Sequence, residues 1–161
     1  MPPRPDGAHQ PLDPRVRRLW QTAALLATAP VVLVLLGTGA IVGAEVGALP
    51  GLGLVALAVV VVGLAVAVPV LRHRRWSWAL TDEGLELAHG VVVRTESAIP
   101  AFRVQQVDIR QGPLERAFGL VTLQITTASS GSDGTLPGID AAGADEVRRR
   151  ILRRVAADDG V

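Results

Sequence analysis

The three histidines are the first side chains to consider for chemistry, because imidazole is the commonest metal ligand and a frequent general base. A metal site needs several ligands at short spacing, and a nucleophile needs a base beside it. The histidines instead fall in a proline-rich tail, beside an apolar run and in a turn, at His9, His73 and His89. The sequence has no cysteine. We therefore predict no metal site and no catalytic histidine.

Two adjacent carboxylate pairs could act as a general acid and base. Asp82 and Glu83 stand in a predicted turn, whereas Asp145 and Glu146 open a predicted helix, where negative charge complements the helix dipole. Residues 129–134 could form an anion-binding nest, although their Ser-rich composition is more typical of a solvated loop. We predict that the chain is not an enzyme, binds no cofactor and has no small-molecule substrate.

Four arginines of the C-terminal half could contact an anion or a partner protein. Scattered strand arginines also act as solvated guards of a sheet edge, so both interpretations stay open. Aromatic residues make up 3% of the chain, too few for base stacking, and we expect no nucleic-acid binding. The four candidates are Arg94, Arg103, Arg110 and Arg116.

Two apolar runs, residues 19–42 and 52–71, organise the N-terminal half of the chain. Neither run carries a charged residue. A helix rises about 1.5 Å per residue, so roughly 20 residues cross a hydrocarbon core of about 30 Å. A soluble core helix would need a polar stripe, which these runs do not offer. We predict a transmembrane hairpin over residues 19–71, in contact with the lipid bilayer.

Arginines flank the predicted hairpin on both outer sides, while the connecting loop carries Glu45 as its only charge. The positive-inside rule then places the N- and C-termini in the cytoplasm of a multi-pass plasma-membrane protein. Tryptophans near the same ends are typical of the headgroup layer. The predicted membrane-interface residues are Arg15, Arg17, Arg18, Trp20, Arg72, Arg74, Arg75, Trp76 and Trp78.

Three glycines recur every four residues near the end of the first run, at Gly39, Gly43 and Gly47. Such a ridge lets another backbone approach closely in lipid. The contact would lie within the hairpin or between copies of the chain, and we favour an oligomer. Residues 1–18 contain five prolines and few apolar side chains, which predicts a disordered cytoplasmic tail.

After Arg75 the pattern changes to short segments of period two, which predicts a domain of antiparallel strands over residues 76–157. Strands are expected at residues 76–80, 85–89, 91–99, 104–109, 121–127 and 135–139. An irregular step in the fourth strand suggests a bulge. A single helical turn is expected between Pro113 and Phe118. Asp140 would cap a final amphipathic helix, so the fold class is α+β.

The domain resembles the bacterial PH-domain membrane proteins of the YdbS type. The resemblance rests on short matches with two spans ahead of them: residues 80–85 (Leu-Thr-Asp-Glu-Gly-Leu), Gly90, Ile99-Pro100, Arg103-Val104-Gln105, Val107, 111–119 (Gln-Gly-Pro-Leu-Glu-Arg-Ala-Phe-Gly) and 136–139 (Leu-Pro-Gly-Ile). It implies a PH-like bent antiparallel sheet with a C-terminal amphipathic helix on a transmembrane hairpin. It implies no known activity.

The sequence therefore favours a non-enzymatic interaction or scaffold module at the cytoplasmic membrane face. Its partners would be other membrane proteins or copies of itself. A sensor of anionic lipid headgroups and an accessory factor in cell-envelope stress are the alternatives. PH domains that hold phosphoinositides use basic residues around the first hairpin turn, but here Asp82 and Glu83 would repel a phosphate.

Overall fold

A computed structural model describes residues 9–81, 83–127 and 134–158 of the chain, with side chains described as far as Arg153. These residues form two compact units. The helical unit is Arg17–Leu71, and the sheet unit joins the residues up to Val16 to those from Arg72 onward. Each helix of the helical unit thus has one end that belongs to the sheet unit.

The helical unit contains most of two long helices, α1 over Pro14–Glu45 and α2 over Ala48–Arg74. Both are long and apolar enough to cross a membrane, as predicted from residues 19–42 and 52–71. Leu, Val and Ile side chains are exposed along both helices. Exposed apolar surface of this extent suits a lipid environment rather than water.

The two helices pack through small residues. The buried positions Gly51, Ala58 and Ala65 recur every seven residues along α2, the spacing typical of a slightly crossed, left-handed helix pair. Gln21 Nε2 in α1 also donates a hydrogen bond of 3.3 Å to the carbonyl of Val66 in α2. The hairpin is therefore a packed pair rather than two independent spans.

The first sheet consists of β1 Gln10–Pro11, β2 Ser77–Leu80, β3 Gly84–His89 and β4 Thr95–Pro100. These strands are antiparallel and lie in the order β1-β2-β3-β4. Gln10 lies opposite Trp78, Ser77 opposite Ala88, and Leu85 opposite Ile99. Strand β1 precedes α1 and β2 follows α2 in the sequence. The helical hairpin is therefore a sequence insertion between two strands that pair with each other.

Residues 9–18 differ from the predicted disordered tail, since they contain β1 and the start of α1. Leu12 and Val16 are the reason, being only 2% and 1% exposed in the sheet unit. Two well-placed apolar side chains thus order a segment whose overall composition is polar and proline-rich. The rest of the predicted tail, residues 1–8, lies outside the described residues.

The second sheet has the antiparallel order β5-β6-β7, from Val104–Arg110, Leu120–Thr127 and Gly134–Asp140. Its pairing shifts register between Val104 and Gln106, which confirms the predicted bulge. A short 3₁₀ helix, Ala101–Arg103, links the sheets. Helix α3, Pro113–Phe118, connects β5 to β6, and helix α4, Ala144–Asp158, ends the fold.

The core of the sheet unit lies between the two sheets. Its largest fully buried side chains include Leu85 from the first sheet and Leu120, Leu123 and Leu136 from the second. The sheets approach so closely at Gly134 that a Cβ there would overlap Ile99 Cδ1. The alternation of apolar residues along β6 predicted the clearest strand. Its buried side chains form part of the second sheet's contribution to this core.

Two predicted element boundaries are wrong. Residues 91–94, expected at the start of the third strand, form a loop, because β3 ends at His89 and pairs there with Thr95. Asp140 does not cap α4, which begins four residues later. Its carboxylate instead accepts hydrogen bonds from Arg15 and from the amide of Ala142.

Candidate membrane and partner interface

The histidines are held by structural contacts. His9 faces Glu86 at 3.7 Å on the outer surface of the first sheet. His73 Nε2 lies 3.1 Å from the carbonyl oxygen of Asp13. The ring of His89 stacks on Trp76 with 5.2 Å between centroids. Within the described ranges, no three His, Cys, Asp or Glu side chains group as metal ligands would.

The carboxylate pair that opens α4 is engaged in ion pairs along the helix. Asp145 lies 2.9 Å from Arg148. Glu146 is hydrogen-bonded by Arg150, which lowers the pKa of Glu146, with Arg153 and Arg149 adding to the effect. These contacts are those of a solvated helix face. Asp82 and residues 129–133 of the possible nest lie outside the described residues, and Glu83 is exposed.

The main polar cluster of the sheet unit is centred on Arg15. Its guanidinium binds Asp13 at 3.0 Å and also Asp140, and it donates to the carbonyl of Phe118 at 3.4 Å. Arg15 was predicted at the membrane interface, but its side chain instead contacts Asp140 at the end of β7 and Phe118 of α3. The arginine lowers the pKa of Asp140 and of Asp13 by hydrogen bonding to each carboxylate.

Asp13 has a second task, because it caps the first turn of α1. Its carboxylate accepts from the amide of Arg15 at 2.8 Å, and its carbonyl accepts from the amide of Val16 at 3.0 Å. Val16 then packs on Gly138, where a Cβ would overlap its Cγ2 atom. We call residues 9–16 the N-terminal clasp, since they join the start of α1 to both sheets.

The tryptophans predicted at the membrane interface have different surroundings. Trp76 is 6% exposed and belongs to the core of the sheet unit, where it stacks on His89. Its burial corrects the expectation of a headgroup contact. Trp78 is half-buried in β2, and Trp20 is half-buried in α1. The remaining candidates, all exposed, are Arg17, Arg18, Arg72, Arg74 and Arg75.

The predicted glycine ridge is divided between a helix contact and a turn. Gly39 and Gly43 face Gly51 of α2, where an added Cβ would come within 2.7 Å of the Gly39 carbonyl oxygen. Gly47 instead lies in the turn between the helices with φ of +133°, a backbone conformation that favours glycine. The hairpin itself thus uses the ridge, which leaves less of it for a contact between copies.

The four candidate anion-binding arginines are not gathered in one site. Arg94 precedes β4 and pairs with Glu96 at 2.7 Å, whereas Arg103 follows β4 and lies over the Phe102 ring. Arg110 ends β5 and Arg116 lies in α3. Arg94 and Arg103 are thus separated by the whole length of β4, so the four arginines cannot bind a single phosphate together.

The sheet unit offers two other surfaces to a partner. Strand β4 ends the first sheet, and its residues Thr95, Glu96 and Ala98 are exposed. A shallow groove on α4 is lined by Glu146, Arg149, Leu152 and Arg153. The clasp is not among the predicted elements, although Asp13-Pro14 before the first arginines is a helix-start signal.

Comparison with known proteins agrees with this architecture. A family model described as bacterial PH domain matches residues 23–155 of the chain. The UPF0699 transmembrane protein YdbS of Bacillus subtilis (strain 168) is 34% identical over 94 residues, or 57% of this chain and 58% of YdbS.

A second relative is the UPF0699 transmembrane protein YdbT of the same organism. It is 27% identical over 106 residues, which cover 65% of this chain but 21% of YdbT. The matched region is thus only part of either relative. No solved structure shows significant similarity to the chain.

Proposed function

This chain belongs to the bacterial PH domain family, and from that premise we propose that its sheet unit is a non-enzymatic protein-interaction module at the cytoplasmic face of the plasma membrane. The chain is a membrane protein with two apolar helices and a PH-like domain. The hairpin provides attachment, and the sheet unit carries the surfaces that a partner would use.

The pairing of β1 with β2 supports the proposed topology. These strands flank the hairpin in the sequence and share one sheet, so both must lie on the same side of the membrane. Two crossings satisfy that condition. The exposed arginines before α1's apolar run and after α2, against the lone Glu45 near the loop, favour the cytoplasmic side.

The open edge of β4 carries the proposed function. It is the last strand of the first sheet, so the outer edge faces no further strand among the described residues. Thr95 and Glu96 give this edge a polar surface that discourages indiscriminate association. An extended segment of a partner could pair with such an edge through backbone hydrogen bonds.

Site-specific photocrosslinking in native membranes tests the proposal. A photoreactive amino acid replaces Ala98 on β4 in the full chain, and the matched control replaces Ala142, which is also exposed but lies in the turn after β7. We expect a discrete crosslinked protein band from position 98 that is absent from position 142. Equal or absent crosslinking at both positions would contradict a partner site on β4.

A lipid-headgroup sensor receives less support from the geometry. The four arginines are dispersed, and Arg94 is already paired with Glu96. A headgroup site would require several cations converging on one phosphate. We therefore propose the interaction module as the function, with the partner a membrane protein or a second copy.

A further inference from the structure

The loop between β3 and β4 carries the most exposed large apolar side chain in the described part of the chain. Val92 is 95% exposed and Val93 is 73% exposed. The other apolar side chains of the sheet unit are mostly buried between its sheets. Two neighbouring valines in water at a loop tip are unfavourable unless something apolar covers them.

The backbone of the loop holds these valines outward. Gly90 has φ of +125°, and a Cβ there would overlap the carbonyl oxygen of Val93. The turn is therefore tight, and only glycine fits it without rearrangement. Strand pairing resumes at Thr95, opposite His89. Residues 91–94 form a short, defined projection from the end of β3.

The register of the first sheet places this projection at the end where the chain arrives from α2. Ser77 lies opposite Ala88, and Trp76 stacks on His89, the residue just before the turn. Only Arg75 and Trp76 separate the end of α2 from β2. At about 3.3–3.6 Å per residue, that connection spans roughly 10 Å or less.

The charges near this end suit a lipid surface. Arg72, Arg74 and Arg75 are exposed where α2 ends, and Arg94 borders the valines. Arg94 and Glu96 pair at 2.7 Å and offset each other's charge, so the net positive charge at this end comes from the three arginines at the end of α2. Apolar side chains bordered by cations are the composition that binds the headgroup layer of anionic membranes.

We infer that residues 91–94 insert shallowly into the cytoplasmic leaflet, with Val92 and Val93 among the upper acyl chains and the cations of Arg72, Arg74 and Arg75 near the headgroups. This contact is independent of the protein partner proposed for β4. Since the spans already hold the domain beside the bilayer, even a small apolar loop inserts without a separate association step. The loop would then fix the orientation of the sheet unit on the membrane.

The absence of cysteine allows a direct test on the full chain. An environment-sensitive dye is attached to Val92→Cys, with the chain reconstituted as single copies in nanodiscs of mixed zwitterionic and anionic lipid. The matched control is Phe102→Cys, which is 59% exposed at the opposite end of β4. Lipids carrying a nitroxide near the headgroup serve as the quencher.

We expect blue-shifted emission from the Val92 dye and lipid quenching at least about twofold stronger than for the Phe102 dye. Adding Val93→Asp should reduce that quenching, whereas Phe102→Asp should not. Water-like emission with equal quenching at both positions would overturn the inference. A shielded Val92 dye that lipid nitroxides do not quench would also overturn it, because protein rather than lipid would then cover the loop.

Discussion

At the residue scale, Gly138 is the position where the clasp and the second sheet leave least room. Its φ is +75°, and a Cβ would overlap Val16. We expect Gly138→Ala to destabilise the sheet unit by about 2–4 kcal/mol, since backbone strain and displacement of Val16 add together. In thermal unfolding of the full chain, the midpoint should fall by roughly 10 °C or more.

Gly143→Ala is the matched control for this substitution. The nearest atom to an added Cβ there is 3.8 Å away, an ordinary contact. Its unfolding midpoint should stay close to that of the wild type. Equal effects of the two substitutions would mean that Val16 does not pack on Gly138.

The pairing of Asp140 with Arg15 predicts a dependence of stability on pH. Arg15, followed by the Ala142 amide, lowers the pKa of Asp140. A carboxyl group with a depressed pKa stabilises the fold above its unfolded pKa of about 3.9, and this contribution is lost as the pH falls through the folded value. We expect Asp140→Asn to lose less stability than wild type between about pH 5 and pH 2.

Urea unfolding at a series of pH values measures this difference. Arg15→Gln should reduce the acid sensitivity at least as much, because Asp13 loses the same partner. Combining Arg15→Gln with Asp140→Asn should add little to Arg15→Gln alone. If the Asp140→Asn variant lost as much stability on acidification as the wild type, other carboxylates would be responsible for the pH dependence.

At the scale of the elements, the hairpin depends on the contact of Gly51 with Gly39 and Gly43. A side chain at Gly51 would meet backbone atoms of both, the nearest at 2.7 Å. We expect Gly51→Val to separate the helices near the loop by about 2–3 Å, because interaxial distance follows the side chains at the contact. Spin labels at the exposed positions Ile41 and Leu52 would report the change as a longer distance.

Gly53→Val provides the comparison, since nothing lies within 4 Å of its added Cβ. The label distance should be unchanged in that variant. If Gly51→Val also left the label distance unchanged, the glycines would not be required for packing within the hairpin.

Most elements followed from local patterns, and the exceptions have physical causes. The alternation along β6 and the Pro and Gly around α3 predicted those elements, and the PH-like α+β fold is confirmed. Strand β1 was missed because two residues cannot show a period. Burial of Trp76 was missed because a tryptophan beside a span is equally suited to lipid and to a nearby core.

The candidate surfaces were harder to predict than the elements. Residue type alone makes candidates of Arg94, Arg103, Arg110 and Arg116. Their separation depends on strand register, which a single sequence does not display. The pairing of Arg15 with Asp140 joins residues 125 positions apart, and no local signal connects them. The valines of the β3–β4 loop were predicted to lie in a strand because valine is common in strands.

At the scale of the whole molecule, the sheet unit is incomplete without the clasp. Burial of Leu12 and Val16 together contributes about 3–6 kcal/mol, a large share of the roughly 5–15 kcal/mol that stabilises a typical domain. We expect a fragment starting at Arg72 to unfold at much lower urea concentration than a protein in which a Gly/Ser linker replaces the hairpin between Val16 and Arg72.

The linked protein with Leu12→Asp and Val16→Asp is the control, and it should behave like the fragment. Circular dichroism during urea titration measures all three. If the fragment matched the linked protein in stability, the clasp would contribute nothing to the fold.

Because the hairpin lies between β1 and β2 in the sequence, these paired strands are synthesised at different times. Strand β1 leaves the ribosome about 65 residues before β2, an interval of several seconds at roughly 5–20 residues per second. During that interval β1 waits unpaired while the spans enter the bilayer. A chain with a single crossing would leave the two strands on opposite sides and expose the site of Leu12. Pairing of β1 with β2 therefore depends on both spans having crossed the bilayer.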